Sequence, residues 1–228
     1  MPAPSPESSR HLLVPFAAAS APECQALLES LILPNLKFLL ARLNEVSADR
    51  GEEHDFSPPH ERALARALGL PAADGRIPWA AAQSDAPATP QAFFSLCHFQ
   101  VGMDQVTLLP GAQLGLEETE SRTLFEAFAP LCAEDGVTLR WEGPGEWHAS
   151  GEPLRGLDCA SLDRVSGRNA SDWMPRPAND DTAPAARLLQ RLQSEAQMLF
   201  YSHPTHDARS ARGQLPVNGF WVHGAGAL

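Results

Sequence analysis

The sequence predicts a mixed α+β/α/β protein: an N-terminal strand with helices, then a larger α+β domain with a mostly antiparallel sheet. Three observations predict it. Apolar residues recur at helical spacing between Leu27 and Leu43 and again between Leu188 and Phe200. Strand-like alternation runs from Phe94 to Leu109 and returns in short stretches around Trp141, Trp147 and Trp221. Between the two regimes, residues 74–90 are rich in Ala and Pro and read as a linker.

The elements follow in order. Residues 1–10 are a Pro/Ser-rich flexible tail, and 11–73 hold an N-terminal strand with helices. Leu12 to Phe16 reads as a short buried strand. Leu27, Leu28, Leu31 and Ile32, then Leu36, Leu39, Leu40 and Leu43, form two helical pieces separated at Pro34. Ser57-Pro58-Pro59 is a helix start and Gly69 a stop, which predicts a short helix from Pro59 to Leu68. After the linker, 91–228 form the larger domain. Phe94–Val101 and Gln105–Leu109 are a hairpin turned at Gly102-Met103-Asp104. Glu117 to Cys132 is a helix with Leu124, Phe125, Phe128 and Leu131 on one face, stopped at Gly136. Val137–Trp141 and Trp147–Ala149 are short strands. Asp180-Asp181-Thr182 and Pro184 open a long helix, and Val217–Val222 is a strand that the helix requires in the same sheet as the hairpin.

Composition excludes several classes of function. Sixteen Gly and twenty-one Pro in 228 residues fall well short of low-complexity disorder, and 43% hydrophobic residues support a packed core. A net charge of -11 has the wrong sign for a protein that neutralises phosphates, which argues against nucleic-acid binding. No stretch approaches the ~20 apolar residues of a membrane span. The apolar run from Leu12 to Ala21 resembles a weak signal peptide, but it is short, interrupted by Pro15 and preceded by few basic residues. Cys24, Cys97, Cys132 and Cys159 lie far apart without a C-x-x-C pair and read as reduced thiols of a cytoplasmic protein.

A phosphate-binding P-loop, a dinucleotide-binding glycine fingerprint, a serine-nucleophile elbow and a zinc-binding H-E-x-x-H helix are all absent. The dense polar segment is His203 to Gly226. There Arg209 and Arg212, three apart, share a helical face, and two guanidinium forks on one face suit a phosphate or carboxylate. Asn218 adds amide donors, Gly224 and Gly226 allow backbone approach to an anion, and Arg168 and Asn169 are placed on the opposite wall. The structural alternative pairs the arginines with Asp163, Asp172, Asp180 or Glu195. No metal site is expected: His203, His206 and Asp207 are the clustered donors, and Pro204 disturbs the helix that would align them.

Asp163-Arg164-Val165-Ser166-Gly167-Arg168 running to Trp173-Met174-Pro175, then His203-Pro204, Arg209, Arg212-Gly213, Pro216-Val217-Asn218, Trp221 and Gly224-Ala225-Gly226, resembles the insertion-domain end of the archaeal-type cofactor-independent phosphoglycerate mutases. With Cys97 to Asp104, Glu134-Asp135-Gly136 and Gln197-Met198-Leu199, the whole is similar to the smaller proteobacterial RpfE-type regulatory protein family. The resemblance implies part of an alkaline-phosphatase-like fold with an α+β insertion domain. Those mutases place an aspartate after the first strand, where Phe16 and Ala17 stand here. Their metal-binding half follows the motif ending at Gly226, two residues before the last residue of this chain, and is expected to be lacking. The resemblance therefore implies a regulatory protein without catalytic residues or cofactor.

Three functions follow as expectations. The first is a non-catalytic binder of a small phosphorylated or carboxylated metabolite at Arg168, Asn169, His203, Arg209, Arg212 and Asn218. The second is a metal-dependent phosphomutase or phosphatase, marked by three His/Asp ligands around one point. The third is a protein-interaction module, marked by an exposed apolar patch and buried, paired arginines.

Overall fold

A computed structural model describes residues 13–15, 22–44 and 48–228. The chain divides after Arg50 into two compact units. In the first, α1 (Pro22–Ser30) and α2 (Pro34–Leu40) are the two helical pieces expected on either side of Pro34. Pro34 opens α2, a position where its missing N–H is no loss. Leu13 to Pro15 form no strand, and Leu12, Phe16 and the tail 1–10 lie outside the described residues.

The second unit begins at Gly51, so its border does not fall in the stretch read as a linker. It runs through α3 (Pro59–Ala67) and α4 (Trp79–Ala82) into β1 (Gln91–Val101), β2 (Val106–Pro110) and α5 (Gly111–Leu114). Then come α6 (Glu118–Glu134), β3 (Thr138–Gly143), β4 (Glu146–Ser150), β5 (Leu157–Asp158) and α7 (Leu162–Val165). β6 (Arg176–Pro177), α8 (Ala183–Ser202), α9 (Pro204–Ala211) and β7 (Gly219–Gly226) complete it. The Ala-rich stretch is structural because Ala80 and Ala81 are small enough to be fully buried, which lets α4 pack on β1 and β7. Gly224, with φ at +63°, serves the same contact: a side chain there would press on Trp79 and Phe93.

β1 is the hub of a five-stranded sheet. It pairs antiparallel with β4 through Gln91–Ser95, with β2 through Cys97–Val101, and with β7 along Gln91–Cys97, while β3 adds to β4. The strand ending the chain thus joins the hairpin's sheet, as the long helix requires. β5 and β6 form a separate two-residue pair.

Period-two alternation divides the sheet between two cores. Phe94 and Leu96 join Leu124, Phe128, Leu192, Ala196 and Phe200 of α6 and α8 in the larger one. Phe94 stacks on Phe220 with centroids 4.4 Å apart, and Phe128 meets Trp147, Phe200 and Phe220 within 6.3 Å. Each buried aromatic contributes about 1.5–3 kcal/mol of transfer free energy, so this cluster fixes α6 and α8 on the sheet. Cys97, Leu108 and Trp221 join Phe56, Val165 and Trp173 in the second core.

Candidate functional site

Arg209 and Arg212 are brought together, but on a carboxylate. Glu120 stands in the first turn of α6, where it completes a capping box with Glu117. Its Oε2 accepts from Arg209 Nη1 at 2.6 Å and from the Glu117 N–H at 3.1 Å, and its Oε1 accepts from Arg212 Nη2. The Arg209 guanidinium is completed by the Leu215 and Leu114 carbonyls at 2.9 and 2.6 Å, and the residue has no exposed surface. Arg212 Nε donates to Gln214 Oε1. Burial acts to raise the Glu120 carboxyl, yet the Glu117 N–H and the two guanidinium groups outweigh it and hold the group below the usual carboxylate range.

The arginines are paired as the structural alternative expected, with a different partner. Glu120 takes the place of Asp163, Asp172, Asp180 and Glu195. Its role was present in the sequence as a carboxylate three residues after Glu117, but that spacing marks a helix start and carries no sign of a partner 89 residues away.

Asn218, Asn169 and His203 are also engaged. Asn218 folds its amide onto β1, accepting from the Phe99 N–H at 2.7 Å and donating to the Phe99 carbonyl at 3.0 Å. Asn169 accepts from the Val106 N–H and donates to Asp172. His203 caps α9, its Nδ1 accepting from the Thr205 N–H. Arg168 is exposed, and its carbonyl accepts from the Leu108 N–H. Gly224 and Gly226 lie against Trp79, Phe93 and Pro78, on which a side chain at either position would press.

Two polar clusters emerge that the sequence did not disclose. On β1, β4 and β7, Ser95 Oγ lies 2.8 Å from His223 Nε2 and 3.1 Å from Glu146 Oε2, and His223 Nε2 lies 3.3 Å from that same oxygen. Burial raises the Glu146 carboxyl, but the hydrogen bond and charge of His223, the Ser95 hydroxyl and the His148 charge pull it below its ordinary value. Serine and carboxylate share one imidazole nitrogen, whereas a hydrolytic relay needs the acid on the other nitrogen to orient the base. The triangle ties three strands together; it does not present an activated nucleophile.

The second cluster is His60, Glu61 and Asp163, whose donor atoms all lie within 4.8 Å of one another. Among the described residues, this is the group that converges, rather than His203, His206 and Asp207. His206 instead meets the Tyr201 ring at 5.0 Å. Burial raises the Glu61 carboxyl, against the pull of the nearby Ser161 and Trp79 side chains.

A hollow of about 1030 Å³ lies beside α8. Met198, Tyr201, His206, His98 and Asn218 face it, and Glu134, Asp135 and Glu195 border it with Arg191. That arginine is bound to Asp135 and Glu195, so the rim carries excess negative charge. A second hollow of about 470 Å³, bounded by Phe99, Val101, Ala170, Ser171 and Met174, shares Ser194, Gln197 and Asn218 with the first. Asn218 therefore reaches an open cleft walled in part by Ala170 and Ser171, while Arg168, Asn169 and the paired arginines do not line it.

The fold and these sites define a mixed α and β protein with a mostly antiparallel sheet, an Arg-Glu-Arg cluster and an acidic-rimmed groove. No helix of the described residues is long and apolar enough to cross a membrane. No family model matches the chain, and no curated protein matches it. Among solved structures, 62% of the chain is similar to a cofactor-independent phosphoglycerate mutase from Thermoplasma acidophilum DSM 1728, at 14% identity and a TM-score of 0.47. The match spans 38% of that enzyme's chain, well under two thirds of its length.

Proposed function

We propose that this chain is a non-catalytic interaction module whose groove along α8 receives an apolar segment of a protein partner flanked by Lys or Arg. The carrying observation is that Glu120 pairs with both arginines of the expected anion site, Arg209 being fully buried there, while an acidic-rimmed groove lies open beside α8. Met198 and Tyr201 are 75% and 71% exposed there, an apolar and aromatic surface of the kind that anchors peptides. Three carboxylates against one arginine favour a basic partner and disfavour a phosphorylated one. A regulatory role, implied by the RpfE-type resemblance, fits a protein that acts by binding.

The test is fluorescence anisotropy with two labelled peptides of the same apolar sequence, one flanked by lysines and one by glutamates. The basic peptide binds, and Met198→Asp weakens it at least about tenfold, or 1.4 kcal/mol. Equal affinity for both peptides, or binding unchanged by Met198→Asp, contradicts the proposal.

A further inference from the structure

The group His60, Glu61 and Asp163 is built from two elements far apart in sequence. His60 and Glu61 occupy the first turn of α3, and Asp163 the first turn of α7, 103 residues after His60. His60 Nε2 already lies 3.2 Å from Asp163 Oδ2. A cation bound at ~2.1 Å holds adjacent ligands about 3.0–3.5 Å apart, so that pair already has the spacing of two ligands on one ion. The third donor lies within 4.8 Å of both, a side-chain adjustment away.

The neighbours hold the cluster in place. The Ser161 and Trp79 side chains lie near Glu61 and favour its ionised form against burial. The Ser161 side chain caps α7 by accepting from the Arg164 N–H and so holds the start of the helix that carries Asp163. Arg164 turns away to the Asp55 and Glu52 carbonyls. With neutral imidazole, two carboxylates bring two negative charges to one point, the charge of one divalent ion.

We propose that His60, Glu61 and Asp163 form a binding site for a first-row divalent cation such as Zn²⁺ or Mn²⁺. One imidazole nitrogen with two carboxylate oxygens suits these ions better than Mg²⁺, which prefers oxygen and water. Three protein ligands leave positions for water, and the bound ion clamps α3 to α7. The site is independent of the α8 groove, and its failure would leave that reading untouched.

The experiment uses the full chain without an affinity tag, stripped with chelator and then titrated with Mn²⁺ followed by the electron paramagnetic resonance of the free ion. Zn²⁺ is titrated in parallel by calorimetry. One equivalent of each ion binds, thermal unfolding shifts upward, and Asp163→Asn and His60→Gln each weaken binding by more than about tenfold, the size of losing even an outer partner of a metal ligand. Asp207→Asn, on the surface of α9, leaves binding unchanged. The Asp163 side chain is half-exposed, so its variant folds and decides the question even if His60→Gln does not. No stoichiometric ion, or binding unaffected by Asp163→Asn, overturns the proposal.

Discussion

The Arg209 guanidinium, without any exposed surface, lies 2.6 Å from Glu120 Oε2, joining α9 to the first turn of α6. Removing one partner of a buried ion pair leaves an uncompensated charge, which costs about 3–5 kcal/mol. Glu120→Gln should therefore destabilise the protein by about 3 kcal/mol or more in urea unfolding. Arg212 is half-exposed, and Arg212→Ala should cost no more than about 1 kcal/mol.

The pH dependence follows from the same carboxylates. Glu120, Glu146 and Asp55 are all held below their ordinary values: burial opposes the first two, while for Asp55 the hydrogen bond from the Glu52 N–H leads. A group whose folded value is depressed stabilises the protein above its unfolded value, about 4.3 for Glu and 3.9 for Asp, and loses that contribution as pH falls through the folded value. Unfolding monitored by circular dichroism should show stability falling as pH drops below about 4.5. In Glu120→Gln the acid loss should be shallower.

Thiol reactivity separates the cysteines. All four are free, and Cys97, Cys132 and Cys159 are buried. Burial pushes the Cys132 thiol up to about 12 and those of Cys97 and Cys159 well above the ordinary range. Titration with Ellman's reagent should give one fast equivalent, from partly exposed Cys24, and three that react only in denaturant.

Much of the fold was legible because it depends on local periodicity. The hairpin, the helix after Glu117, the paired short strands and the long helix all carry their own apolar spacing or turn residues. What escaped was set by tertiary contact. Residues 74–90 resemble a linker in composition, yet Ala80 and Ala81 are small for the sake of close packing on β7. Arg209 and Arg212 were correctly placed on one side, but whether a guanidinium meets a ligand or a carboxylate depends on Glu120, whose distance in sequence no spacing rule spans. His60 and Asp163 were hidden for the same reason.

Gly224 gives a local check on how α4 seats on the sheet. Gly224→Ala places a side chain at a φ of +63° and 3.1 Å from the Trp79 Cβ. The left-handed conformation alone costs about 1–2 kcal/mol, so thermal unfolding should shift downward by several degrees.

The central claim, that the α8 groove binds while the arginine cluster only holds the fold, is tested most directly by titrating the lysine-flanked peptide into ¹⁵N-labelled protein. Amide shifts should concentrate at Gln197, Met198, Tyr201 and Asn218, and inorganic phosphate added separately should perturb neither Arg209 nor Arg212. Saturable shifts at Arg209, Arg212 and Glu120 on adding phosphate, with the α8 residues unmoved by peptide, would contradict the account.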